Sequence, residues 1–140
     1  MSKGAETLRR LFAAARAAQA RAYAPYSNFK VGAAILDESG AIHAGCNIEN
    51  AAYPVGNCAE ASAIAAMINA GGKRIAAILV TGDGAALCTP CGGCRQRIRE
   101  FAALNAPVYV AGEAGVRKTY TLEELLPDSF GPENLNVQGH

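Results

Sequence analysis

Between residues 57 and 111 the hydrophobic pattern runs helix, strand, helix, strand, and no other feature constrains the fold of this chain as strongly. A helical pattern over 57–70 is stopped by Gly71-Gly72. A strand pattern covers 75–81, a second helix 91–104 and a second strand 107–111. Strand-helix-strand order requires parallel strands joined by right-handed crossovers. The 58–70 segment, CAEASAIAAMINA, is apolar nearly all round, which places it inside against the sheet with Met67 in the core.

Upstream, residues 31–36 and 41–46 read as strands around the polar turn Asp37-Glu38-Ser39-Gly40, an antiparallel hairpin. Leu8, Leu11, Phe12, Ala15 and Ala18 recur at helical spacing and predict a helix over 6–22, with Arg9, Arg10 and Arg16 on its solvated face. Downstream, Thr121-x-x-Glu124 is a capping pattern for a short helix that ends at Pro127. The expected fold is a three-layer α/β/α arrangement with a mixed sheet of about five strands, in a single domain over residues 1–140.

Composition excludes some functions. Hydrophobic residues make up 51% of the 140 and charged residues 18%, which argues against disorder. No apolar run reaches the roughly 20 residues of a membrane span, and the first residues lack the pattern of a secretory leader, so a cytoplasmic protein with reduced thiols is expected. A net charge of +1 with scattered Lys and Arg offers no track for a nucleic-acid backbone.

Three of the five cysteines lie in Cys88-Thr89-Pro90-Cys91-Gly92-Gly93-Cys94. Thr89 suits an N-cap and Pro90 a first helical position, so Cys91 and Cys94 fall in the first turns of a helix and share a face. Cys88 precedes the helix and is expected to point elsewhere. An iron-sulfur cluster of the bacterial type needs a further cysteine three residues on, and Arg95-Gln96-Arg97-Ile98 has none. The pair could be a redox disulfide or half of a metal site. Cys58 favours the metal: it opens the preceding helix, and helix starts gather at the carboxyl edge of parallel strands. Three thiolates suit zinc, with a fourth position open. Glu60 then has two readings, a carboxylate beside the metal or the far half of an Asn57-x-x-Glu60 capping box. A structural zinc module would instead require a fourth protein ligand, for which Cys88 is the candidate.

Cys58-Ala59-Glu60 followed about thirty residues later by Pro90-Cys91-Gly92-Gly93-Cys94 matches the zinc deaminase pattern. With Pro25-Tyr26-Ser27-Asn28-Phe29, Val31-Gly32-Ala33-Ala34, the run from Cys46 to Pro54, Arg95-Gln96 and the run from Glu124 to Pro132, the sequence resembles the cytidine deaminase family, in its small homotetrameric branch, over nearly the whole chain. The resemblance implies hydrolytic deamination of cytidine and 2′-deoxycytidine to the uridine products with release of ammonia, in pyrimidine salvage. It implies one zinc per chain held by Cys58, Cys91 and Cys94, with Glu60 as proton shuttle. It places Asn47 and Glu49 on the ribose 3′-hydroxyl, Phe29 beside the nucleoside, and the backbone of Ala59 and Thr89 on the pyrimidine edge. Phe130 would enter a neighbouring subunit's pocket and stack on the base. Tyr26 and Tyr53 line the pocket or pack. A deaminase of a modified nucleoside, of the blasticidin S type, would share the metal motifs.

Charge counting adds a requirement: three thiolates and one Zn²⁺ leave a net negative site. Many relatives place an arginine directly after the catalytic glutamate, where this chain has Ala61, and Arg95 is the candidate substitute. His43, within a strand, and the terminal His140 need no role, and Cys46 is expected to pack as a small buried residue.

Overall fold

The structure, a computed structural model, describes residues 2–137, so His140 lies outside the described residues. Helix α1 spans Lys3–Gln19, strand β1 Val31–Asp37, β2 Ile42–Cys46, α2 Ala59–Asn69, β3 Ile75–Gly82, α3 Gly92–Phe101, β4 Pro107–Gly112, β5 Gly115–Thr121 and α4 Leu122–Leu125. Short 3₁₀ turns cover Tyr53–Val55 and Pro132–Leu135. No described helix is long and apolar enough to cross a membrane.

The strands form one mixed sheet in the order β2-β1-β3-β4-β5. β1 runs antiparallel to β2 and β3, β3 and β4 are parallel, and β5 returns antiparallel to β4. Alternation along the strands sends side chains to two cores. Ala33, Ile35, Ile78, Val80 and Val108 pack with Ala63 and Met67 of α2, Ile98 of α3 and Leu122 of α4. Ala34 and Leu79 face the other way, onto Leu11 and Ala15 of α1. The result is the expected α/β/α sandwich.

Close backbone approach sets the seat of α2. A Cβ at Gly45 in β2 would lie 2.4 Å from the Ala63 amide nitrogen and 2.7 Å from Ser62 Cβ, so only glycine lets the helix rest there. The strand-helix-strand runs β2-α2-β3 and β3-α3-β4 bring the N-termini of α2 and α3 to the same edge of the sheet.

Several boundaries differ from the sequence reading. α1 starts at Lys3 because the Ser2 hydroxyl accepts the Ala5 N–H, at 3.1 Å. It ends early because the backbone of Tyr23 is drawn into bonds with Asn47 and Glu49. The N-cap of α3 is Cys91, not Thr89, and Pro90 stays outside the helix with its carbonyl taken by Arg95. α2 buries one face only, and Ile68 on the other is 47% exposed. β5 falls in a segment with no strand assigned from sequence. Cys46 is half-buried rather than buried. Arg9 is exposed and bound to Glu6, whereas Arg16 is half-buried and donates to the buried Gln19 rather than standing on a solvated face.

Candidate metal centre and substrate cleft

Cys58 is the N-cap of α2 and Cys91 the N-cap of α3, both extended in backbone, and Cys94 lies one turn into α3. The three Sγ atoms lie within 4.8 Å of one another, no disulfide joins them, and no fourth ligand atom belongs to the cluster among the described residues. Each helix start turns unpaired amides and the positive end of its dipole toward these sulfurs, which favours thiolate. Three convergent soft donors with a position left over fit zinc. Burial pushes the thiols of Cys58 and Cys94 up. At Cys91 burial also opposes ionisation, but hydrogen bonds from the Cys94 amide and the neighbouring thiols outweigh it and draw the group down.

Cys88 sits apart, its sulfur 2.5 Å from where a Cβ on Gly82 would stand. Burial, reinforced by the charges of Glu60 and Asp83, pushes its thiol up to about 11. It stays out of the cluster, so a closed four-ligand centre does not form from it.

Glu60 lies in the first turn of α2, only 4% exposed. Burial raises its carboxyl from its ordinary value, partly offset by its own amide, the Cys94 thiol and the charge of Arg97. The Asn57 capping box does not form, because Cys58 is the N-cap and the Asn57 backbone is bridged to Ile48. That bridge, with its counterpart between Tyr23 and Ile48, holds the Asn47-Ile48-Glu49 segment beside Cys58.

A cleft of about 500 Å³ results, lined by Tyr26, Asn47, Glu49, Tyr53, Asn57 and Cys58 among others. The Tyr26 and Tyr53 rings meet edge to face at 5.7 Å in its wall. Asn47 accepts the Val31 N–H at 2.9 Å and donates to the Phe29 carbonyl at 2.8 Å. Glu49 accepts the amides of Tyr26 and Ser27 at 2.9 and 3.1 Å, and its other oxygen accepts the Ser27 hydroxyl. These bonds, the Ser27 hydroxyl first, hold the Glu49 carboxyl below its ordinary value. One Asn47 N–H and one Glu49 lone-pair direction remain, a donor and an acceptor on residues that line the same cleft.

Phe29 is 40% exposed and its ring tip approaches Gly82. Ala59 is the first residue of α2 and fully buried, and Thr89 is half-buried just ahead of α3. Phe130 does not line this cleft and is 58% exposed; its carbonyl accepts from Gln96 Nε2 at 2.9 Å, while Arg99 Nε donates to Ser129 Oγ at 2.8 Å. Arg95 does not reach the sulfurs: it donates to the carbonyls of Pro90 and Leu125 and lies 3.4 Å from Thr89 Oγ1. The guanidinium on the centre is that of Arg97, whose Nη1 donates to Cys94 Sγ at 3.5 Å. Arg97 belongs to none of the motifs recognised in the sequence, and its spacing of three from Cys94 on one helix is the signal that points to it. His43 is bound to Asp37 at 2.7 Å, far in role from any metal.

Comparison with known proteins agrees with this geometry. Residues 5–111 match the family described as the cytidine and deoxycytidylate deaminase zinc-binding region. A cytidine deaminase of Sporosarcina psychrophila is 42% identical over 127 residues, covering 91% of this chain and 93% of that protein. One from Halalkalibacterium halodurans is 42% identical over 122 residues, covering 86% and 92%. The crystal structure of cytidine deaminase from Burkholderia pseudomallei superposes with a TM-score of 0.81 at 41% identity, covering 93% of this chain and all of that one. Thiol cluster, fold and sequence thus converge, and the chain belongs to the cytidine and deoxycytidylate deaminase zinc-binding family.

Proposed function

We propose that this protein is a zinc-dependent cytidine deaminase, converting cytidine and 2′-deoxycytidine to uridine and 2′-deoxyuridine with release of ammonia, in pyrimidine salvage in the cytoplasm. The observation that carries this reading is the placement of Glu60: buried, hydrogen-bonded to Cys94 of the three convergent thiols, and two residues from Cys58, which shares a cleft with Asn47 and Glu49.

Zinc held by Cys58, Cys91 and Cys94 supplies a Lewis acid that lowers the pKa of water. Glu60 moves the protons. Its carboxylate takes one from the attacking water and delivers it to ring N3, where it stays in the product. It then carries the second to the departing amine, which leaves as ammonia. A carboxyl raised by burial suits a group that must both accept and donate. The free Asn47 N–H and the spare Glu49 lone pair match a hydroxyl, which is donor and acceptor at once, and the family resemblance makes that hydroxyl the ribose 3′-hydroxyl. Phe29 flanks the nucleoside. The Ala59 amide, in a first turn without intrahelical acceptors, and the Thr89 backbone address the pyrimidine edge. Phe130 serves the pocket of a neighbouring chain in a homotetramer, which accounts for an aromatic ring exposed on this chain's own surface.

Loss of cytidine absorbance together with ammonia release by purified protein tests the reading, with Glu60→Gln as comparison. Activity should fall by about 10²- to 10⁴-fold in the variant while zinc content stays. A fully active Glu60→Gln protein, or a wild-type protein that deaminates blasticidin S and ignores cytidine, would refute it.

A further inference from the structure

We infer that Arg97 is the charge-compensating and positioning residue of the metal centre, its guanidinium offsetting the negative charge that three thiolates leave on Zn²⁺ and steadying the Cys94 sulfur. The inference rests on the zinc reading of the thiol cluster, and it assigns a role to a residue that binds neither metal nor substrate.

Loading three thiols with one Zn²⁺ displaces three protons. The site therefore becomes one charge more negative as the metal enters, and a fixed cation beside it favours the loaded state. Arg97 meets the geometric requirement: Nη1 donates to Cys94 Sγ at 3.5 Å, from one helical turn further along α3. The side chain reaches the sulfur by passing over Gly93, where an added Cβ would come within 3.3 Å of Nη1. The neighbouring cation that could compete, Arg95, is committed to the carbonyls of Pro90 and Leu125. Across the interface, Ala61 of α2 faces the same shallow depression as Arg97 and brings no charge. Arg97 also pulls on Glu60 electrostatically, so its charge is felt beyond the one sulfur it touches. A sulfur that receives a hydrogen bond from a cation donates less electron density to its metal, which gives the contact a spectroscopic signature.

The test uses the full chain loaded with zinc, then with cobalt(II) as an optical probe, with no nucleoside present. Arg97→Gln should release zinc to a competing chelator about 10-fold faster than the unmodified chain, the lower end of the range for groups that support metal ligands. Arg97→Lys should recover much of the retention. Added salt should speed release from the unmodified chain and leave Arg97→Gln little changed. In the cobalt form the sulfur-to-metal charge-transfer band should shift in Arg97→Gln, while the melting temperature of the metal-free protein, with Arg97 on the surface, should not. Equal release rates and an unmoved band would overturn the inference. An unmodified chain that holds no zinc would remove the centre and this inference together. A chain that shows the Arg97→Gln effect yet deaminates nothing would uphold it while failing the proposed reaction.

Discussion

Gly45→Ala should damage the protein at a distance from the thiols. The new Cβ would stand 2.4 Å from the Ala63 nitrogen, against the 3.4 Å at which ordinary contact begins, so α2 must retreat by roughly 1 Å. The obstructing atoms are helix backbone and the root of Ser62, which cannot rotate aside. Overpacking of this kind costs about 1–3 kcal/mol, and at about 3 °C per kcal/mol the melting temperature should fall by about 3–9 °C. Because α2 carries Cys58 at its start, the same retreat should loosen zinc relative to α3, which stays in place. Gly4→Ala is the control: nothing lies within 4 Å of its added carbon, and alanine inside α1 should stabilise by about 0.5–1 kcal/mol. Thermal unfolding with metal analysis of both variants checks this. A Gly45→Ala protein that melts with the wild type and keeps its zinc would show that the contact between α2 and β2 does not set the centre.

Serine in place of Cys58, Cys91 or Cys94 should empty the metal site, whereas Cys88→Ser should keep about one zinc per chain by elemental analysis; an empty Cys88→Ser site would reverse the ligand assignment. The Asp37 carboxyl is held well below the usual carboxylate range, by the His43 ring first and by Ser39 next. A depressed folded value gives stability that is present above the ordinary 3.8 and lost as pH falls below it. His43→Ala should therefore unfold at a higher pH in an acid titration followed by circular dichroism, and coincident curves would refute the pairing. Mixed refolding of Glu60→Gln with Phe130→Ala should yield more activity than the two refolded apart, since some pockets would combine intact groups from two chains. Mixed oligomers without that gain would confine Phe130 to its own chain.

Much of this architecture was legible in the residues. The crossovers were readable because their helices and strands carry opposite periodicities, and the cysteine cluster because crossovers bring helix starts together. β5 was not, since GVRKTYT exposes Arg117, Lys118 and Thr119 and becomes a strand only by pairing with β4. The caps were misplaced for a related reason. Asn57 is a good cap by type, but its backbone is bridged to Ile48, and Thr89 gives way to Cys91 because the chain stays extended until the thiol is reached. Arg95 and Arg97 could be told apart only by where α3 points them.

The division of the thiols between α2 and α3 also has a consequence for how the chain acquires its metal. Cys58 arrives with one crossover, Cys91 and Cys94 with the next, and the two share β3. No contiguous stretch of sequence holds all three sulfurs, so a nascent chain that ends before α3 presents a single thiol where the finished protein presents a trio. With these three thiols as the ligands, full ligation would wait until both crossovers had docked on the sheet, and the free energy of binding would accrue to the assembled tertiary structure rather than to any local segment. Metal retention would in this sense report that both crossovers have docked, across a helix-helix seam.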